Sequence, residues 1–379
     1  MNNIVNPILA GSLIILIFLS LTNPNKVNVK ANRWLSMFII CILLVVLDEL
    51  YLTIQRKQIN DLISIISNSA AFHIAPVFYL SISYFINPNK TWRFKDNLHF
   101  LFGFVFLIIL VCNFFLYDKT IQSTNYDFKI TNTLSALSNI LNALFSIQII
   151  LYCYFIYLKL KKHHNNIKLF RSYTEIIDLK WLRNIVVTVN LLFLFWVVDM
   201  LFKFSTDNFL IMNLLVLFEI FFITYHFIKQ KEIYPFSYSE TNEIIEIIYD
   251  YDLDSSKKQL IQDDKLIESK IELSQLMTTK KLFLDPEICL IKLAAEMDCT
   301  PHIISYIINN GYNENFYQFI NRYRIDEAKK MILNPKMDYL SLLGIGFEVG
   351  FNSKSTFNST FKKISGQTPS EYKKSNALK

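Results

Sequence analysis

Glycine is scarce in this chain: there are seven in 379 residues, and five of them (Gly311, Gly344, Gly346, Gly350 and Gly366) lie beyond position 310. That leaves no glycine-rich loop of the kind that cradles a nucleotide's phosphates. The HExxH, GxSxG and kinase ATP-binding patterns are also missing, so the chain is not expected to be an enzyme. Cysteine is sparing too. Cys41, Cys112 and Cys153 sit inside apolar runs, and Cys289 and Cys299 lie near the other end, with no CxxC and no histidine spaced to share a metal. Free thiols in a reducing compartment are expected, with no metal and no cofactor. Charge is the third shortage, at 18% of residues, against 52% apolar residues and 33 Phe and 20 Tyr. That balance is in excess for a soluble protein and points to a membrane protein.

Seven windows approach the roughly 20 apolar residues that a bilayer core requires of a helix: 4–21, 35–52, 62–86, 98–116, 134–158, 185–204 and 209–228. The first contains Asn6, Pro7, Gly11 and Ser12 and is the least regular. No Lys or Arg precedes it and no clear small-residue cleavage site follows, so it reads as a retained span rather than a signal peptide.

Orientation follows from basic residues in the loops. Those on the side shared with the C-terminus hold thirteen Lys and Arg, seven of them between Lys159 and Arg183, whereas the opposite side holds five. The C-terminus is therefore expected in the cytoplasm and the N-terminus outside. Were the first window not a span, the C-terminus would remain cytoplasmic.

Ionisable residues inside spans are costly and are functional hypotheses by default. Here they are Asp48 and Glu49, His73, Asp199 and Glu219. Asp199 and Lys203 stand four apart and pair on one reading, and His73 fits an interior hydrogen-bonding role as well as a ligand contact. Glu219 is the preferred signal site, with Asp199, His73 and Asp48 as further candidates. The short external loops suggest a small or lipophilic signal entering the outer half of the bundle. His163 and His164, among Lys161, Lys162 and Lys168, read as solvated, lipid-facing charge.

From 229 to 279 the chain turns polar and acidic. Helix-like apolar spacing over 243–249 and 266–277, with Ile267, Ile271 and Leu276 roughly on one stripe, reads as a linker with short helices. It is either a homodimer contact or a solvated connector.

Residues 280–379 carry a repeat. Leu293-Ala294-Ala295-Glu296-Met297-Asp298-Cys299 aligns, 52 residues on, with Ile345-Gly346-Phe347-Glu348-Val349-Gly350-Phe351. Asp285-Pro286-Glu287 reads as a helix start, Thr300-Pro301 caps a second helix, a longer helix runs over 315–333, and Asn352-Ser353 caps another. Thr368-Pro369-Ser370-Glu371 is a capping box. Gly350 suits a turn with positive φ. Pairs of short helices joined by tight turns suit a major groove.

Gly350-Phe351-Asn352-Ser353-Lys354-Ser355-Thr356-Phe357, then Phe361-Lys362-Lys363, Gly366 and Thr368-Pro369-Ser370-Glu371-Tyr372, resembles the signature end of AraC-type transcription regulators. The resemblance covers about a quarter of the chain, 283–374. With the spans ahead of it, the whole resembles the membrane-bound AraC-type regulators of some bacteria. It implies two helix-turn-helix units bridged by the long helix, each offering its second helix to adjacent major grooves. The family's recognition positions fall on His302, Ser305 and Tyr306 in the first unit and on Lys354, Ser355, Asn358 and Ser359 in the second. Lys362, Lys363 and Arg324 read as phosphate contacts.

The expected fold is all-α: a polytopic bundle of about seven transmembrane helices (1–228), a cytoplasmic linker (229–279) and a tandem helix-turn-helix domain (280–379). The expected partners are double-stranded DNA, the lipid bilayer of a bacterial inner membrane, a small or lipophilic signal and a second copy of the chain. The alternative is a transporter or channel with a regulatory helix-turn-helix appendage, for which Pro76 after His73 is the interior hint.

Overall fold

The computed structural model describes residues 2–23, 26–55, 62–120, 127–175, 177–202, 208–252 and 260–377. Among these residues it is helical, without a named strand, and it divides into two compact units. The first comprises Met1–Lys161 and Leu179–Ile233, and the second Lys162–Asp178 and Tyr234–Lys379.

The first unit holds α1 (Asn2–Thr22), α2 (Val29–Gln55), α3 (Leu62–Ile86), α4 (Leu98–Thr120), most of α5 (Asp127–Asn166), α6 (Lys180–Phe202) and α7 (Asn208–Lys229). Each of the seven apolar windows falls largely on one of these helices. Among the described residues, six stretches are long and apolar enough to cross a membrane, on α1 to α5 and α7. Large apolar side chains point outward, including Phe18, Phe104, Ile108, Phe218 and Phe221. An apolar surface of that extent suits hydrocarbon, not water.

Inside, small and polar residues hold the helices together, as they do where lipid removes the hydrophobic incentive to pack. The hydroxyls of Ser20 on α1 and Ser36 on α2 lie 2.7 Å apart, and Ser81 on α3 donates to the carbonyl of Ala31 at 3.0 Å. Gly103 on α4 faces the His73 ring on α3 so closely that a Cβ at position 103 would collide with it.

The second unit holds α8 (Tyr238–Asp252), α9 (Asp263–Lys280), α10 (Leu290–Glu296), α11 (Pro301–Tyr306, continued by a π-helical turn, Ile307–Gly311), α12 (Phe316–Ile332), α13 (Leu342–Glu348), α14 (Lys354–Ser365) and α15 (Pro369–Ala377). Its spine is α12, whose N-terminal half buries Phe316, Phe319 and Ile320. The other half buries Ile325, Ala328 and Ile332 in a cluster with Ile345, Val349, Phe351, Phe357 and Phe361. The helix ends follow local chemistry: Asn315 and Gln318 form a reciprocal capping box, and Thr300, Ser341 and Ser353 each accept from an amide three residues on.

Three local readings change. Asp285-Pro286-Glu287 does not begin α10, which starts at Leu290. The Asp285 carboxylate instead accepts from the Glu287 amide at 2.8 Å in a local turn, and Cys289 is extended, bridged to Arg171. On α9 the buried stripe is Leu273 and Met277, while Ile267 and Ile271 are exposed. His163 is buried, its Nε2 3.0 Å from the carbonyl of Ile177, rather than solvated.

Candidate nucleic-acid interface

The second helix-turn-helix is built around two glycines. A Cβ at Gly346 on α13 would lie 2.9 Å from the Phe357 ring, so its absence is what lets α13 and α14 cross at that point. Gly350, in the turn, has φ +95°, and a Cβ there would meet the carbonyl oxygens of Phe283 and Leu284 at 2.8 and 2.9 Å.

With Phe357, Thr360 and Phe361 buried, α14 turns Lys354, Ser355, Ser359, Lys362 and Lys363 to solvent, with Asn358 half-buried on the same side. Positions 354, 355, 358, 359 and 362 share one helical face. The exposed lysines make that face electropositive, as phosphate attraction requires. Lys373, on α15, pairs with Asp338 at 2.8 Å.

In the first helix-turn-helix His302 and Tyr306 are half-exposed on α11, but Ser305 is buried, its Oγ accepting from Asn309 Nδ2 at 3.3 Å. Ser305 therefore faces the domain interior. Asn310, on the π-helical turn beyond it, is exposed.

Arg324 requires a correction. It is 1% exposed and spends its donors inside the domain: Nε donates to the Phe283 carbonyl at 2.7 Å, while Nη2 donates to the Asp285 carbonyl at 2.8 Å and to Ser172 Oγ at 3.2 Å. Burial lowers its pKa to about 10, which still leaves it charged at neutral pH. It is a buried clamp and not a phosphate contact, because the guanidinium has no surface to offer.

One participant was not read from the sequence. In the second unit, Glu175 lies over the N-terminus of α14, and its Oε1 accepts from the hydroxyls of Ser353 (2.7 Å), Ser355 (3.3 Å) and Thr356. A carboxylate at a helix N-terminus gains from the exposed amides and the helix dipole. The contact spans about 180 positions of sequence, so no local signal announces it.

The candidate signal residues have separate surroundings. Asp48 accepts from Ser64 at 2.8 Å, and His73 Nδ1 lies 2.7 Å from the Ser69 carbonyl. Glu219 on α7 is buried, and its Oε1 has no hydrogen-bond partner. The side chain of Asp199 lies outside the described residues. Sequence reasoning set Glu49 aside, yet its Oε1 accepts from Asn6 on α1 (3.2 Å) and Asn213 on α7 (2.9 Å). It joins three helices through one oxygen.

Compared with known proteins, residues 293–375 match the family model described as Helix-turn-helix domain. No curated protein and no solved structure matches the chain.

Proposed function

We propose that this chain, whose C-terminal part is an AraC-type helix-turn-helix domain, is a membrane-bound, sequence-specific regulator of transcription. The carrying observation is α14: a helix held by two aromatic anchors that presents Lys354, Ser355, Asn358 and Ser359 on one open face, in a chain whose described residues include six stretches apolar enough to span a bilayer. Lys354, Ser355, Asn358 and Ser359 read base edges together with His302 and Tyr306, and Lys362 and Lys363 hold phosphates. Ser305 acts indirectly, through Asn309. The excess of basic residues in loops on the C-terminal side supports a cytoplasmic DNA-binding end in a bacterial inner membrane.

The bundle senses a small or lipophilic ligand, with buried Glu219 as its polar anchor. Exposed Ile267 and Ile271 on α9 support pairing of two copies through the linker.

Selection from random duplexes tests the reading, using the intact chain in lipid nanodiscs. Enrichment of a motif with two contact blocks about 10 bp apart is expected. Failure to enrich any sequence contradicts sequence-specific recognition.

A further inference from the structure

Residues 162–178, the last turn of α5 and most of the connection to α6, belong to the same compact unit as the helix-turn-helix domain. The segment is anchored there. Phe170 is buried and its carbonyl accepts from the Leu290 amide at 3.0 Å, while Ser172 donates to the Ile288 carbonyl at 3.0 Å and accepts from the buried Arg324. These contacts deliver Glu175 to the start of α14.

The N-terminal end of a recognition helix is the part that enters a major groove. There one carboxylate oxygen gathers the hydroxyls of Ser353, Ser355 and Thr356. It engages Ser355, one of the proposed base readers, and adds a negative charge where a phosphate backbone must approach. Resting on the DNA-reading role of α14 argued above, we propose that the 170–175 segment is an intramolecular stand-in for DNA, closing the second recognition helix until the segment is withdrawn.

Glu175 is the acidic element that mimics the duplex, and Phe170 and Ser172 are its anchors. The segment continues into α5 on one side and α6 on the other, so a change in the separation of those helices acts on it directly, without passing through the linker. The contact is reciprocal: whatever releases Glu175 raises DNA affinity, and bound DNA favours release by the same factor.

The test uses the intact chain in nanodiscs and the duplex obtained by selection, with wild type, Glu175→Gln and Glu175→Ala compared at one salt concentration. Hydrogen-exchange protection of α14 in each variant checks that the fold is kept. The expected result is tighter binding by both, on the order of tenfold for Glu175→Ala, the loss of one charge-assisted interaction that competes with DNA. Unchanged or weaker binding by both variants overturns the proposal while leaving the DNA-binding role intact. If neither the wild type nor the variants bind any duplex, the functional reading fails and this inference with it.

Discussion

Gly346 on α13 and Phe357 on α14 meet so closely that a β-carbon at position 346 would stand 2.9 Å from the aromatic ring. The ring is buried in the cluster shared with Ile345 and Phe361, so it has little room to yield. Gly346→Val is expected to cost about 1–3 kcal/mol through overpacking. Thermal unfolding followed by hydrogen exchange over 340–365 checks this, and unchanged protection would contradict the packing described.

Arg324 donates to two backbone carbonyls, that of Phe283 at 2.7 Å and that of Asp285 at 2.8 Å, the second of which also accepts from the Ile288 amide at 3.2 Å. Arg324→Met keeps much of the volume but strands the carbonyl of Phe283 and leaves that of Asp285 with the Ile288 amide alone, and a loss of about 1–3 kcal/mol is expected, as for an unsatisfied buried acceptor. The same variant should leave the salt dependence of DNA binding unaltered wherever the domain remains folded. A reduced salt slope would restore a phosphate-contact role to this residue.

Between the two units, Lys354 begins the lysine-bearing recognition helix and His302 lies on one that holds no Lys or Arg. Lys354→Ala is expected to weaken binding more than His302→Ala, whereas Lys362→Ala lowers the slope of log affinity against log salt by about 1. Equal losses in a gel-shift series would contradict the asymmetry.

Acid should loosen the domain through two ion pairs. Burial alone raises the Asp285 carboxyl, but Lys292 and the Glu287 amide outweigh it and hold it below its ordinary range, while Lys281 lowers Glu327. For depressed carboxylates the stabilisation is present above the unfolded pKa and is lost as pH falls through the folded value. Protection of 281–330 against hydrogen exchange should therefore decline from about pH 4 downward. The decline should be shallower in the Asp285→Asn, Glu327→Gln double variant, and identical profiles would contradict this.

In the membrane unit, Glu219→Gln is expected to abolish or blunt the response of a reporter strain to its inducer while leaving binding by the purified chain unchanged. A normal response would remove Glu219 from signal recognition.

The elements legible in the sequence were those whose cause is local. Apolar windows located the bundle helices, Thr300-Pro301 and Asn352-Ser353 marked helix starts, and Gly350 announced a tight turn. The failures were non-local. Asp285 looked like a helix cap until the pairing of Cys289 with Arg171 delayed α10 by several residues. Arg324 looked like a surface cation because sequence spacing does not reveal two carbonyls and Ser172 waiting inside. On α9, the exposed Ile267 and Ile271 and the buried Leu273 and Met277 are each four apart, so periodicity alone did not choose the buried face. Glu175 reaches Ser353 from 178 positions away and was beyond any motif.

The central claim is a DNA reader that works while held in a bilayer. Mapping chromosomal sites cross-linked to the intact, membrane-fractionated protein tests it most directly, with Lys354→Ala as the comparison. The account predicts discrete sites in front of a small set of genes, diminished in the variant. An even background along the chromosome, the same for both proteins, would contradict it.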